Sequence, residues 1–306
     1  MSRYIISRIL WLGPVMLGVS LLVFSIVKLM PGDVARALVG TNGTAEDVAA
    51  MRQTLGLDRP VYVQYMRFLD RLVHLDLGNS AVTRRPVTTE IASRIPATAE
   101  LAGAALLIAL ILGMVTGIVS ATMQYSVWDN LATLISLIGI SMPSFWLGLM
   151  LMLLFSVRLG WLPSTGSGSV AQLILPALTL GSASTAIIAR QTRSSLLDVL
   201  RQDYVRTAHA KGIASRRVLL RHALPNALIP TVTAVGLQVG YLLGGSVLTE
   251  TVFARPGLGR LLVDSIQSRD LAIVQGTIML LSAVFVIVNL AVDLIYVRLD
   301  PRIRYD

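Results

Sequence analysis

Six long apolar stretches, separated by polar segments, form the main pattern of this chain. Each approaches or exceeds the about 20 mostly apolar residues that a helix needs to cross a bilayer. We therefore predict an all-α integral membrane protein with six transmembrane helices, the fourth of them short and opened by Pro176. The stretches cover approximately residues 9–30, 99–123, 131–157, 173–189, 227–249 and 271–296.

The first apolar stretch could be a cleaved signal peptide or a retained span. Its run from Ile9 to Val27 is longer than a typical signal-peptide core. The letters KLMPGD follow it, where a cleavage site would have small residues. We therefore predict that this span is retained.

Composition supports the membrane assignment and narrows the chemistry. Only 14% of the residues are charged, against about 25% in soluble domains. The net charge of +9 is interpreted as marking the cytoplasmic ends of the spans, so we predict no nucleic-acid partner. The chain has no cysteine and three scattered histidines, which predicts neither a disulfide framework nor a metal centre.

Basic residues in the short loops predict the orientation. They cluster between the fourth and fifth stretches, before the first and after the last, and an even number of predicted spans separates these regions. The positive-inside rule therefore places both termini and the basic segment in the cytoplasm. These residues are Arg3, Arg8, Arg190, Arg193, Arg201, Arg206, Lys211, Arg216, Arg217, Arg221, Arg298, Arg302 and Arg304.

The long loop between the first two spans, residues 31–98, is also rich in arginine, which argues against an outside location. Loops beyond about 60 residues translocate largely regardless of charge, so we predict that it is extracytoplasmic. It has the signals of two helices. Thr44 with Asp47 resembles a helix start and Gly56 a helix stop, and a second helix begins near Pro60.

The basic segment from Asp203 to Pro230 is predicted to form a helical hairpin. Asp203 could cap a helix from Tyr204 to Lys211, Gly212 would end it, and a second helix would cover about 215–223. Two interpretations remain open. The hairpin could lie on anionic lipid, or its small Ala208 and Ala210 could dock closely into a groove of another protein.

Each of several glycines and polar residues in the predicted spans could have one of two roles. Gly113 and Gly117, like the four-spaced glycines of the fifth span, could serve static packing or a moving face. Pro143 should bend or interrupt the third span. The other polar positions could line a path or bond a neighbouring helix, and Glu250 could be a gate or pair locally with Arg255 or Arg260. The path or gate candidates are Pro143, Gln238, Tyr241, Gly244, Glu250 and Asn289.

Motifs along the whole chain give a family resemblance. RTAHAKG, followed by ALP, resembles the cytoplasmic EAA loop of ABC-importer permeases, although Arg206 and Thr207 stand where Glu and Ala are usual. Taken together, the motifs resemble the B-type permease of the dipeptide, oligopeptide, nickel and glutathione importer family. The further motifs are LMPGD, LGLDRPVYVQYMRFL, DLGNS, GISMPSFWLG, LGWLP, FARPGLGRLLVDSIQSRD and LDPRIRYD.

The resemblance implies a type I ABC importer permease fold and an organisation of the chain. Residues 1–30 would hold the N-terminus and first span, 31–98 a helical extracytoplasmic loop, and 99–306 the transmembrane core. The core would include a cytoplasmic coupling loop, 193–224, that contacts the ATPase. The implied ATPase-coupling residues are Asp203, Tyr204, Arg206, Thr207, Ala208, Lys211 and Gly212.

The resemblance also implies partners: a second, C-type permease subunit, two cytoplasmic ATPases and an extracytoplasmic binding protein. The chain has no Walker-type loop, so it would not be an enzyme by itself, and ATP and Mg would be bound by the ATPases. The turn RPGLGR would either dock the binding protein or only cap the bundle. Its implied docking residues are Arg255, Pro256, Gly257 and Gly259.

The expected function is import of di- or oligopeptides across a bacterial inner membrane by alternating access. The same framework could carry nickel chelates, glutathione or opine-like compounds, since selection lies mainly in the binding protein. Two other classes of protein compete with this expectation. A stand-alone channel or ion-coupled carrier would need a mid-membrane ionisable site, which the spans lack, and a scaffold would use the basic segment only to bind lipid.

Overall fold

The computed structural model describes residues 2–29, 34–40 and 43–299, and over these ranges the regular structure is helical. This confirms the all-α prediction. π-helical turns extend the seventh helix through Met152–Arg158 and join the tenth to the eleventh through Leu219–Ala223. In chain order the helices are α1 (Ser2–Leu29), α2 (Val34–Val39), α3 (Ala45–Leu55), α4 (Val61–Val73), α5 (Val87–Thr122), α6 (Val127–Ser141), α7 (Ser144–Leu151), α8 (Val170–Leu200), α9 (Asp203–Ala210), α10 (Ser215–Val218), α11 (Leu224–Val252), α12 (Leu258–Gln267) and α13 (Leu271–Leu299).

Four helical runs of the described chain are long and apolar enough to cross a membrane. They are α5, α8, the continuous run Ser215–Val252 and the part of α13 in Leu271–Val292. A fifth is added if the bent pair of α6 and α7 is one span. The apolar part of α1, Leu10–Ile26, is shorter, so the number of six spans stays a prediction.

The third predicted span is broken at Pro143. Helix α6 ends at Ser141, Met142 and Pro143 have extended backbones, and α7 starts at Ser144. The two helical pieces are bent by 110°. Proline lacks an N–H and pushes the residue before it out of the helical region, so the predicted interruption is confirmed.

Two helix starts differ from the sequence prediction. Helix α5 begins at Val87, well before the apolar stretch, and contains Pro96. Helix α8 begins after Ser169, whose side chain forms a reciprocal capping box with Gln172. The prediction that Pro176 opens this helix is therefore wrong, because the cap already satisfies the first free N–H groups and Pro176 lies inside the helix.

The helices of the 31–98 loop agree with their local signals. Thr44 caps α3 through two reciprocal hydrogen bonds with Asp47. The Thr44 N–H donates to Asp47 Oδ2 at 2.9 Å, and the Asp47 N–H donates to Thr44 Oγ1 at 3.2 Å. The Thr44 hydroxyl, which donates to Asp47 Oδ2 at 2.7 Å, and the Thr44 N–H together hold the pKa of Asp47 below its ordinary value. Gly56 ends α3 with φ +66°, and α4 follows Pro60. The location of this loop outside the membrane remains a prediction.

The chain divides into two compact units. The first contains Met1–Ala97 and Pro256–Val286. One of its apolar clusters joins α1, α4 and α13 through Phe24, Phe68 and Met279. A buried hydrogen bond of 2.5 Å from Ser80 Oγ to Asp270 Oδ2 connects two of the quoted motifs, DLGNS and the end of FARPGLGRLLVDSIQSRD.

The second unit contains Thr98–Arg255 and Ile287–Asp306 and is arranged around α8. Half of the apolar window of α8 is buried, a larger share than in the other candidate spans, and α6, α7 and α11 pack against it. Glycines let α5 approach it closely. A Cβ added at Gly113 would lie 2.9 Å from Ile188 Cβ, and one at Gly117 would lie 2.6 Å from Ala189 O.

The glycines of α11 do not form one uniform contact face. A Cβ added at Gly236 would collide with Val292 of α13, whereas one added at Gly244 would meet nothing within 4 Å. Close helix packing therefore explains Gly236 but not Gly244.

Candidate functional site

The basic segment forms the predicted hairpin at the end of α8. Only Arg201 and Gln202 separate α8 from α9. Gln202 has the extended backbone of an N-cap residue, and Asp203 is already helical. The prediction that Asp203 caps the helix is therefore wrong by one position. Its exposed carboxylate instead pairs with Arg206, at 3.7 Å between Oδ1 and Nη1.

The hairpin has its own small apolar core. Val205, Ala208 and Val218 are buried against one another, with Val199, Leu200 and Ile213 packed around them. Ala208 is 8% exposed, so its small side chain serves packing within the hairpin. The opposite face of α9 is open to solvent and holds Arg206, Thr207, His209, Ala210 and Lys211.

Gly212 ends α9, as predicted. Its φ is +74°, a left-handed conformation that glycine adopts without steric cost. Its N–H donates to His209 O at 2.9 Å, and Ile213 N–H donates to Ala208 O at 3.3 Å. A Cβ added here would meet nothing within 4 Å, so the backbone conformation alone requires glycine.

Tyr204 connects α9 to the start of α11. Its hydroxyl accepts a hydrogen bond from Asn226 Nδ2 at 3.2 Å, and the same amide donates to His222 O at 2.9 Å. The hairpin is therefore fastened at both ends, to α8 through its apolar core and to α11 through this polar contact.

A polar cluster joins three helices near the hairpin. We define the Asp129 cluster as Ser120 of α5, Asp129 of α6 and Arg193 of α8. Arg193 Nε donates to Asp129 Oδ1 and Nη2 donates to Oδ2, both at 2.8 Å. Arg193 Nε also contacts Ser120 Oγ at 2.9 Å, and the Ser120 hydroxyl donates to Asp129 Oδ1.

Asp129 was not among the residues predicted to be functional, and Arg193 was predicted only as a marker of orientation. One local signal was present, because Asp129 follows Ser126 by the spacing of a helix cap, and Ser126 does cap α6. The partners of Asp129 lie far away in sequence, where spacing gives no signal.

A second polar cluster joins α5 to the far end of α11. We define the Arg255 cluster as Thr98, Glu100, Glu250 and Arg255. Thr98 Oγ1 donates to Glu250 Oε1 at 2.6 Å, and Arg255 Nη2 donates to Glu100 Oε2 at 2.8 Å. Arg255 thus forms its ion pair with Glu100, whereas its backbone N–H donates to Glu250 O at 2.8 Å.

The turn RPGLGR is mostly buried. Arg255, Gly257 and Gly259 are buried and Pro256 is partly exposed. A left-handed φ of +52° occurs at Ala254, just before the turn, while Gly257 is extended and precedes α12. Whether this turn docks a binding protein or only caps the bundle stays a prediction.

The remaining path candidates are dispersed. Gln238 is buried in the contact between α8 and α11, where its Oε1 accepts from Ser184 Oγ at 2.9 Å. This is the helix-to-helix role that the sequence left open. Tyr241 is exposed, Asn289 is partly exposed on α13, and Gly244 faces open space.

Comparisons with known proteins then decide the family. The model of the binding-protein-dependent transport system inner membrane component matches residues 109–305. The model of the N-terminal part of these membrane components matches residues 1–102. The chain belongs to this family. It is an ABC importer permease.

Named relatives of this permease cover its full length. It is 48% identical over 305 residues to the glutathione transport system permease protein GsiC of Salmonella paratyphi A, covering 100% of both chains. The protein of the same name from Escherichia coli (strain K12) matches with the same identity and coverage.

Solved structures support the permease fold. A chain of the inward-facing MetNI methionine ABC transporter matches with a TM-score of 0.60 and 18% identity, over 69% of this chain and 96% of that one. An amino acid ABC transporter chain matches with a TM-score of 0.54 and 15% identity, over 71% and 95%. At these identities the likeness concerns the fold alone.

Proposed function

We propose that this permease imports glutathione or closely related short peptides into the cytoplasm, driven by ATP. The observation that carries the proposal is the 48% identity, without gaps in coverage, to permeases of glutathione transport systems. Glutathione is itself a tripeptide, so this substrate narrows the expectation of di- or oligopeptides. Nickel chelates and opine-like compounds become the alternatives to test.

The energy for import would come from two cytoplasmic ATPases that bind ATP and Mg. The hairpin supports this role, because its outer face on α9 is exposed and basic while its inner face is packed against α8. ATPase closure would push α9, and the two-residue link to α8 would carry the push into the second unit. The transporter would then alternate between outward and inward access.

A second permease subunit and an extracytoplasmic binding protein complete the proposed assembly. The chain would lie in a bacterial inner membrane with both termini in the cytoplasm, on the side of the hairpin. The helices of the 31–98 loop would then lie outside, where they can contribute to docking the loaded binding protein.

Copurification and uptake test the assembly and the substrate together. The chain is expressed with its genomic neighbours, purified in mild detergent, and every co-eluting subunit is identified by mass. We expect two ATPases and a second permease. Reconstituted with its binding protein, the complex should take up labelled glutathione faster than nickel chelates or opines. A chain that elutes alone and still transports in liposomes would instead be a channel or carrier.

The hairpin role is tested at its stop residue. Gly212→Pro fixes φ near −65° where the chain needs +74°, and removes the N–H that bonds His209 O. We expect uptake to fall while the protein remains in the membrane. Gly212→Ala, which adds no clash, is the control and should lose less. Normal uptake and stimulated ATPase activity in Gly212→Pro would contradict the role.

The exposed face of α9 is tested separately. Ala210→Trp adds bulk on the solvent side and should weaken ATPase binding without disturbing the hairpin core. Ala208→Trp adds the same bulk inside that core and should destabilise the hairpin itself. Copurification of the ATPases, measured beside the thermal stability of each purified variant, distinguishes a lost docking contact from lost folding.

A further inference from the structure

We propose that the ion pair between Asp129 and Arg193 is a positioning contact that transmits hairpin movement from α8 to α6, the first half of the broken span. This inference rests on the proposed function, since it assumes that an ATPase moves the hairpin. It assigns to Asp129 and Arg193 a role in coupling in addition to holding the fold.

The geometry of the pair is suited to transmitting movement. Both nitrogens on one edge of the Arg193 guanidinium donate to the two oxygens of Asp129 at 2.8 Å. Such a planar, two-bond contact fixes direction as well as distance. A shift of α8 therefore moves the base of α6 with it, or breaks both bonds together.

The Asp129 carboxylate is satisfied from several directions. Besides Arg193 it accepts from the Ser120 hydroxyl and from Tyr125 N–H at 3.0 Å. Its side chain is 4% exposed and that of Arg193 31%. Water therefore competes little for the carboxylate. Through Ser120 the same contact reaches α5.

The position of the pair connects the two parts that must move together. Arg193 lies about two turns before the end of α8, and Val199 and Leu200 on the last turn pack into the hairpin core. Asp129 lies in the first turn of α6. The other end of α6 meets the break at Pro143 and the 110° bend. The hairpin, the pair and the break thus form one continuous series of contacts in the second unit.

An ion pair that only stabilises the fold would behave differently from one that transmits movement. If the pair only stabilises the fold, its loss should lower the amount of folded complex, with ATPase activity and uptake falling in proportion. If the pair transmits movement, folded complex should still hydrolyse ATP but transport less substrate for each ATP. The deciding quantity is therefore the number of substrate molecules taken up per ATP hydrolysed.

The test uses the complete complex with its ATPases and binding protein in liposomes. Asp129→Asn removes the charge and weakens the two-bond contact, and should lower substrate uptake per ATP roughly tenfold. Asp264→Asn is the matched control, because Asp264 forms an exposed ion pair with Arg260. The control should keep the wild-type ratio. An unchanged ratio in Asp129→Asn, or an equal fall of both activities, overturns the proposal.

Arg193→Lys guards against a variant that fails to fold, since it keeps a positive charge beside Asp129 but cannot form the two-bond contact. We expect near-normal thermal stability with a reduced ratio of substrate taken up per ATP, and a wild-type ratio here also overturns the proposal.

The wild-type complex separates this inference from the proposed function. If it shows no substrate-stimulated ATPase activity, the proposed function fails; if it couples normally but the variants do too, only this inference fails.

Discussion

Two polar clusters lie near opposite borders of the apolar part of α5, and they differ in how completely their charges are hydrogen-bonded. Thr98 of the Arg255 cluster and Ser120 of the Asp129 cluster lie about 33 Å apart along the helix axis. This is close to the about 30 Å thickness of the hydrocarbon core. The two clusters therefore fit the two borders of the membrane, where buried charges are tolerated more easily than at mid-membrane.

The buried charge of the Asp129 cluster has several hydrogen-bond partners, whereas that of the Arg255 cluster has few. Asp129 accepts from Arg193, Ser120 and Tyr125. Arg255 has a side chain that is 0% exposed, yet its Nε and Nη1 have no hydrogen-bond partner within the described part of the chain. Its carboxylate partner Glu100 is 51% exposed. When one member of an ion pair is replaced, the loss in free energy of unfolding should therefore depend on whether the remaining charge is buried or exposed.

Glu100→Ala should have the largest effect on stability, because it leaves the buried Arg255 cation without a carboxylate. We expect the free energy of unfolding to fall by about 3 kcal/mol. Unfolding of the purified permease by titrated detergent measures it. Glu46→Ala, at an exposed position of α3, is the control and should change stability by less than about 0.5 kcal/mol. A loss no larger than that of Glu46→Ala would mean that the Glu100 carboxylate does not stabilise the buried Arg255 cation.

Arg193→Ala should cost less, about 2 kcal/mol, because the buried Asp129 carboxylate that it leaves still has two other donors. These are the Ser120 hydroxyl and Tyr125 N–H. The loss of stability caused by Ser120→Ala should then be larger in the Arg193→Ala background than in the wild type. Additive effects of the two changes would show that Ser120 and Arg193 act independently on Asp129.

The features that the sequence predicted correctly are local. The capping box of Thr44 and Asp47, the break at Pro143 and the stop at Gly212 each depend on residues a few positions apart. Hydropathy also located the apolar helices, but not the start of α5 at Val87, because a helix can continue beyond its apolar part.

The ion pairs could not be predicted because their members are distant in sequence. Asp129 and Arg193 are 64 residues apart, and Glu100 and Arg255 are 155 apart. No spacing rule connects such residues, and a single sequence leaves many charges as candidate partners. The sequence therefore suggested Glu250 as one partner of Arg255, whereas Arg255 forms its ion pair with Glu100.

Thr98→Val should have a smaller effect, about 1 kcal/mol. It removes the hydroxyl that donates to the buried Glu250 carboxylate at 2.6 Å while keeping the shape of the side chain. Thr231→Val is the matched control. Thr231 is equally buried, and its hydroxyl donates to Ala227 O of its own helix, at 3.3 Å. If both variants lose the same stability, the bond between α5 and α11 adds nothing beyond burial.

Arg255→Met should have the smallest effect on stability and gives the sharpest contrast with Arg193. It removes two buried guanidinium nitrogens, Nε and Nη1, that have no hydrogen-bond partner among the described residues, and the half-exposed Glu100 carboxylate that remains can be solvated. The two effects should nearly cancel, with a change of less than about 1 kcal/mol. Detergent-driven unfolding of Arg255→Met and Glu100→Ala, measured side by side, gives the difference in stability lost when each member of the ion pair is replaced. A loss as large as that of Glu100→Ala would mean that the buried guanidinium stabilises the unit despite its unbonded donors. Unchanged stability with lost uptake would mean that those donors are used in another conformation of the transport cycle.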